Sequence, residues 1–273
     1  MTILITGGGG QLAAAIAARR PDVTRVGRDS LDITDAGAVA KVLDKHRPAA
    51  VINCAAYTAV DRAEEEPDKA FAVNAVGPRT LARAAADRGV RLLHVSTDYV
   101  FGGQPERRPL SESDPPAALS AYGVTKLAGE QFVLAEHAAA AVVRTCGLYG
   151  HGGGNFVKTM LRLAESRDEV SVVADQHCTP TSCDDLAAVL LSLAEDDTAG
   201  VVHATNAGET TWAGFAEAVF AAAGKSTAVR PITTAEFGAA APRPPYSVLA
   251  CDRLAEPMRP WREAVAAFVA ELA

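Results

Sequence analysis

The chain has 273 residues, of which 49% are hydrophobic and 22% charged, and its formal net charge is −7. This length and composition suit one large α/β domain, or a core domain with a smaller one built on it, and exclude disorder as the main state. The negative balance, the lack of a Lys/Arg cluster and an aromatic content of 5% argue against a nucleic-acid or anionic-membrane surface. Met1-Thr2-Ile3-Leu4-Ile5-Thr6 has no basic leader and runs straight into glycines, and no stretch of about 18 apolar residues occurs, so neither a secretion signal nor a membrane span is expected. Cys54, Cys146, Cys178, Cys183 and Cys251 are widely spaced and contain no C-x-x-C pair. They read as reduced thiols of a cytoplasmic protein.

Short β-branched runs alternate with alanine-rich helical stretches. Ile3-Leu4-Ile5 reads as a first strand and Leu12 to Arg19 as the helix that follows. Val23 to Val26 is a second strand, Ala36 to Lys45 a helix, and Val51 to Cys54 a third strand. Helical material from Asp61 to Arg88 is expected to break near Pro67 and at Gly77-Pro78. Leu92 to Ser96, the helix Ala121 to Glu136 and Ala141 to Val143 complete the pattern. Apolar runs of about four residues between helices indicate parallel strands buried on both faces. The fold class is therefore α/β, a doubly wound parallel (Rossmann) sheet that binds its ligand beyond the carboxyl ends of the strands.

After Thr145 the alternation loosens, with a glycine-rich loop at Gly150 to Gly154, helices at Asp184 to Ala194, Trp212 to Ala223 and Trp261 to Leu272, and a loop marked by Pro242, Pro244 and Pro245. We expect a dinucleotide-binding domain over 1–145, with 175–200 returning to it, and a smaller C-terminal substrate-binding lobe from 146–174 and 201–273.

The first strand opens into Gly7-Gly8-Gly9-Gly10-Gln11-Leu12-Ala13. Glycines let backbone amides approach a pyrophosphate, and the helix that follows offers its positive N-terminus. Two registers fit the fingerprint: Gly7, Gly10 and Ala13, or Gly8, Gly10 and Ala13. At the end of the second strand, Arg28 suits the 2′-phosphate of NADP(H), while the neighbouring Asp29 keeps NAD(H) open. Tyr122 and Lys126 stand four residues apart and share one helix face. A phenol ordinarily titrates near 10. A nearby ammonium favours the phenolate, and bringing the phenol towards 7 takes roughly 4 kcal/mol of differential interaction. Thr97 and Asp98 follow the fourth strand, so they belong to the same carboxyl edge.

The glycine loop, Asn53-Cys54-Ala55-Ala56-Tyr57, Ser96 to Phe101 and the Tyr122/Lys126 pair resemble an extended short-chain dehydrogenase/reductase. Leu31 to Asp35, Ala56 to Asp61, Tyr122 to Glu130, Asn155-Phe156, Asp175-Gln176 and Pro180-Thr181 narrow the resemblance to the dTDP-4-dehydrorhamnose reductase family. The resemblance implies reduction, by NADPH, of the C4 keto group of a nucleotide-linked 4-keto-6-deoxyhexose, with dTDP the expected nucleotide and a homodimer allowed for. In it Tyr122 protonates the forming alkoxide, Lys126 holds the nicotinamide ribose and lowers the tyrosine's proton affinity, and Thr97 hydrogen-bonds the carbonyl oxygen. Gly7, Gly10, Gln11 and Leu12 take the pyrophosphate and Asp32 and Ile33 flank the adenine, while Ala55, Ala56 and Tyr57 line the middle of the cofactor. Asp98, Gly147, Asn155 and Arg243 fall to the substrate. No metal is assigned, since His177, Cys178 and Cys183 lack a four-ligand spacing.

Departures from the family pattern fall on the substrate side. Gly147 stands where relatives carry a tryptophan over the sugar, Cys146 where they carry serine, His177-Cys178 in an aromatic-Gly position, and Tyr246 in place of an asparagine. Exchange of an indole for hydrogen suggests room for a different or bulkier hexose. The alternatives are another extended-family enzyme, a dehydratase or epimerase, and a non-catalytic dinucleotide-binding regulatory subunit. Tyr99 sits where a dehydratase would carry its glutamate, and a regulatory subunit would commonly lose the tyrosine. His94 reads as a packed core residue, Glu64-Glu65-Glu66 as a solvated helix face, and Trp212 and Trp261 as lobe packing.

Overall fold

The computed structural model describes residues 1–272. The first half runs β1 (Ile3–Thr6), α1 (Gln11–Arg19), β2 (Thr24–Val26), α2 (Ala36–His46), β3 (Ala50–Asn53), α3 (Val60–Glu65), α4 (Pro67–Phe71), a π-helical turn (Ala72–Val76), α5 (Gly77–Ala86), β4 (Arg91–Thr97), α6 (Ala121–Glu136) and β5 (Ala141–Thr145). The second half runs β6 (Leu148–Tyr149), α7 (Phe156–Ala164), β7 (Glu169–Val173), β8 (His177–Cys178), β9 (Thr181–Ser182), α8 (Cys183–Glu195), β10 (Gly200–His203), β11 (Thr210–Thr211), α9 (Trp212–Ala222), β12 (Ala228–Ile232), α10 (Thr234–Phe237) and α11 (Trp261–Leu272).

Six strands form one parallel sheet in the order β10-β5-β4-β3-β1-β2. Successive residues point to opposite faces, so each strand feeds two cores. Ile3, Ile5, Ile52, Leu93 and Val143 pack with α1 and α8 on one face. Leu4, Val51, Leu92 and Val142 pack with Val39, Leu43, Leu81 and Val133 on the other. From β1 the chain passes to β2 on one side and to β3 on the other, which opens a crevice at the carboxyl ends of β1 and β3.

The expected break at Gly77-Pro78 is absent. Backbone from Pro67 to Ala86 stays helical, with Gly77 at φ −57° and ψ −53°, and the chain widens into a π turn instead. A wider turn tolerates the missing N–H of Pro78 and swings Asn74 inward. Asn74 accepts Tyr57 N at 2.8 Å, returns Nδ2 to Tyr57 O at 3.1 Å, and donates to Thr125 Oγ1 at 3.1 Å, so it couples α6 to the loop after β3.

A third core lies in the second half, where Tyr149, Val157, Met160, Phe215, Val219, Trp261, Val265 and Phe268 pack together. Trp212 lies at its edge, 4.9 Å from the Phe156 ring centre. The sheet takes in residues 201–203, which sequence reading had placed in the lobe. Gly200–His203 pairs with β5, because Val201 and Val202 bury their side chains against its neighbours. Among the described residues no helix is long and apolar enough to cross a membrane.

Candidate active site

The crevice between β1 and β3 is a cleft of about 740 Å³. Its floor is the glycine turn. Gly7 adopts φ +69°, and a Cβ there would lie 2.6 Å from Ala55 N; at Gly8 it would lie 2.9 Å from Val26 N. The first position needs glycine for both its left-handed backbone and its close approach, the second for approach alone. Gly10 N donates to Gly7 O at 2.9 Å and caps α1 without any side-chain acceptor. The leading N–H groups of α1 are thus available to an anion in the cleft, with the helix dipole behind them.

The twelve residues assigned to the cofactor all lie on this wall. Gly7, Gly10, Gln11 and Leu12 form the phosphate end, Arg28, Asp32 and Ile33 the end beyond β2, Ala55, Ala56 and Tyr57 the middle, and Tyr122 and Lys126 the far end. Arg28 reaches the wall while Asp29 does not line it. Asp32 faces inward on itself, accepting Thr34 N at 2.9 Å and the Thr34 hydroxyl at 2.7 Å. Sequence reading missed the opposite lip. Gly152, Gly153 and Gly154 close over the start of α1, and a Cβ at Gly152 would meet Gln11 Cα at 3.0 Å. Gln11 is tethered there by its Nε2 bond to Leu148 O at 3.1 Å.

Ser120 caps α6 by accepting Gly123 N at 3.1 Å, and Glu64 accepts Ala121 N at 2.8 Å. The acidic run is therefore more than a solvated face. Glu64 caps the helix that carries Tyr122, and Glu66 accepts the Tyr57 hydroxyl at 2.7 Å. Tyr122 and Lys126 are both buried. Lys126 Nζ donates to Val95 O at 2.7 Å. Burial pushes the Tyr122 phenol up to about 12, with the Thr97 hydroxyl opposing the rise and the Asp98 charge adding to it. Burial also pulls Lys126 down to about 8, against the charges of Glu130 and Cys54. Loss of water is the main cause of the rise at Tyr122, and the Lys126 ammonium is directed at the Val95 carbonyl. A phenol that stays protonated at neutral pH is a proton donor, the form a reduction needs.

The residues assigned to substrate are placed differently, and none lines the cleft. Thr97 Oγ1 donates to Asp98 Oδ1 at 3.1 Å and accepts Tyr99 N at 3.2 Å. Asp98 is buried and accepts Ser247 Oγ at 2.6 Å and Cys146 Sγ at 3.1 Å on its other oxygen. Its carboxylate therefore joins the ends of β4 and β5 to the loop at 247; burial raises its proton affinity against these three donors. Asn155 caps α7 through Lys158 N at 3.1 Å and donates to Gly150 O at 2.8 Å. Arg243 pairs with Asp61 at 2.8 Å. Gly147 adopts φ +55°, and a Cβ there would meet Pro180 Cα at 3.2 Å and Trp212 Cη2 at 3.6 Å. The room expected at Gly147 is thus bordered by another indole. His177, Cys178 and Cys183 do not form a metal-type group, whereas His151, Asp184 and Glu271 bring ligand atoms within 4.8 Å of one another.

Fold and site together define the class, an extended short-chain dehydrogenase/reductase built around a dinucleotide cleft. The model of the family described as RmlD substrate binding domain matches residues 1–273, and the chain belongs to that family. The dTDP-4-dehydrorhamnose reductase of Streptomyces griseus is 46% identical over 277 residues, covering 96% of this chain and 91% of the relative. The dTDP-4-keto-6-deoxy-D-glucose reductase of Streptomyces niveus is 41% identical over 272 residues, covering 96% and 94%. The crystal structure of dTDP-4-dehydrorhamnose reductase from Bacillus anthracis in complex with NADP superposes with a TM-score of 0.95 at 40% identity, covering 99% of each chain.

Proposed function

We propose that this protein reduces the C4 keto group of a nucleotide-linked 4-keto-6-deoxyhexose, dTDP being the nucleotide, with NADPH as the reductant. The observation that carries the reading is that one cleft holds the glycine phosphate cradle at one end and the Tyr122/Lys126 pair at the other. When bound, NADPH supplies the hydride. Gly7, Gly10 and the first turn of α1 hold its pyrophosphate, and Arg28 favours a 2′-phosphate. Tyr122 keeps its proton until an alkoxide forms beside it and then donates it. Lys126, anchored on the Val95 carbonyl, reaches the same cleft. The relatives named above support the substrate class, and five free thiols suit a cytoplasmic enzyme.

A sugar other than the rhamnose precursor is favoured by one observation. Four of the residues that depart from the family pattern meet in two pairs. Cys146 lies beside the Cys178 thiol and donates to Asp98, and Tyr246 stacks on His177 with ring centres 5.6 Å apart. NADPH oxidation against a panel of 4-keto-6-deoxy nucleotide sugars tests both parts. Stoichiometric consumption with one of them is expected. Turnover with none sinks the reductase reading, and a best kcat/KM for dTDP-4-keto-rhamnose sinks the altered-sugar reading.

A further inference from the structure

Behind Lys126, a line of buried polar groups crosses the sheet from the phosphate loop. Thr6 Oγ1 donates to Asn53 Oδ1 at 2.6 Å, and Ala55 N donates to the same atom at 3.1 Å. A backbone N–H only donates, so the carbonyl end of the Asn53 amide must face it and the NH₂ end must face His94. Asn53 Nδ2 lies 2.9 Å from His94 Nδ1. That ring nitrogen therefore accepts, and the imidazole carries its proton on Nε2. His94 Nε2 lies 3.3 Å from Lys126 Nζ. An ammonium presents hydrogens only, whereas an amine has a lone pair, so the ring N–H finds an acceptor in the amine alone.

We propose that His94 is a positioning residue for the reaction: held by Asn53, it turns its Nε2 proton towards Lys126 and biases that side chain to the uncharged amine. Among the other groups around Lys126, the Glu130 carboxylate opposes the bias, and Arg144 takes up most of its charge. Cys54, just after β3, is a half-buried neutral thiol, Tyr122 is a neutral phenol one turn away, and Glu130 on the same helix is already bound to Arg144 of β5 at 2.6 Å. Burial holds His94 well below the usual histidine range, so the ring does not supply a positive charge. Burial by itself draws Lys126 down to about 8, in the same direction as the bias. The part Lys126 plays in turnover rests on the reductase reading, whereas the tautomer and the bias do not.

Two measurements on the full chain test this. In ¹⁵N-histidine-labelled protein, long-range ¹H–¹⁵N correlation should show His94 protonated on Nε2 and unprotonated on Nδ1 across the neutral range, the signal being assigned by its loss in His94→Gln. A proton on Nδ1, or a ring that titrates, overturns the proposal. In ¹³Cε-lysine-labelled protein, the midpoint of Lys126 should rise by about one pH unit or more in His94→Phe, which removes the N–H, and by less in His94→Gln, whose amide can restore a donor. An unchanged midpoint in folded His94→Phe overturns it. Both readouts are blind to turnover, so a chain that reduced no sugar would remove the functional proposal and leave this one intact.

Discussion

Glu130 and Arg144 form a fully buried, two-pronged ion pair beneath the helix that carries Tyr122 and Lys126, with Nη2 to Oε2 at 2.6 Å and Nε to Oε1 at 2.9 Å. Ser96 Oγ adds a third bond to the carboxylate at 2.6 Å. The pair ties α6 to β4 and β5, the strands whose ends frame the site. Removal of one partner leaves a charge in the core. Glu130→Ala should therefore lower stability by about 3–5 kcal/mol in denaturant unfolding, and Glu130→Met combined with Arg144→Met should cost clearly less. Equal losses in the single and double variants would show that the pair is not the source.

Gly7 has no room for a side chain and no backbone conformation that suits one. Gly7→Ala should fold with a distorted β1 turn and lose NADPH affinity by an order of magnitude or more, read by fluorescence titration. Gly9→Ala, where a Cβ meets nothing within 4 Å, should bind nearly as well as the parent. Similar losses at both positions would argue against the close-approach explanation.

Arg28 reaches the cleft wall where Asp29 does not. A charge-assisted bond to a 2′-phosphate contributes about 1.5–3 kcal/mol, so Arg28→Ala should raise the KM for NADPH by roughly 10- to 100-fold and leave that for NADH nearly unchanged. A parallel rise for both cofactors would remove Arg28 from the selection.

Tyr122→Phe keeps the ring, including its edge contact with Tyr99 at 5.5 Å, and deletes the proton. NADPH should bind as before while turnover falls by roughly 10²-fold or more. Retained turnover would mean that the alkoxide takes its proton from elsewhere.

Lys126 carries a stability cost whose sign follows from linkage. The folded chain releases the lysine proton near 8, the unfolded chain at the ordinary 10.5. Below 8 the folded state bears the whole penalty of a buried charge; between 8 and 10.5 the penalty fades as pH rises. Lys126→Met should therefore be more stable than the parent at pH 7 by on the order of 3 kcal/mol, and the gap should close above about pH 10.5. A gap that stays constant from pH 7 to about 11 would exclude burial of the charge as its origin.

What could be read early was local. A strand that runs into Gly7 to Gly10 and then a helix is one contiguous signal, and Tyr122 and Lys126 share a face because helical spacing requires it. Gly77-Pro78 shows the limit of such reading. Two helix-breaking residue types in sequence predict a stop, yet Gly77 packs so tightly on Ile33 that a Cβ would sit 2.5 Å from its Cδ1, and the helix absorbs the proline in a π turn. Asp98 and Arg243 carry suitable chemistry in suitable positions, but each meets partners that no spacing announces, as when Asp98 accepts Ser247 and Arg243 reaches Asp61.

The amino-acid order alone determined the alternation of strand and helix, the phosphate turn and the phenol–ammonium pair, because each depends on residues within a few positions of one another. Only the folded chain decided protonation and orientation. The proton on His94, the high affinity of Tyr122 for its own, and the inward turn of Asp98 arise from groups brought together across tens of residues and cut off from water, where a single donor or acceptor outweighs the intrinsic character of the side chain.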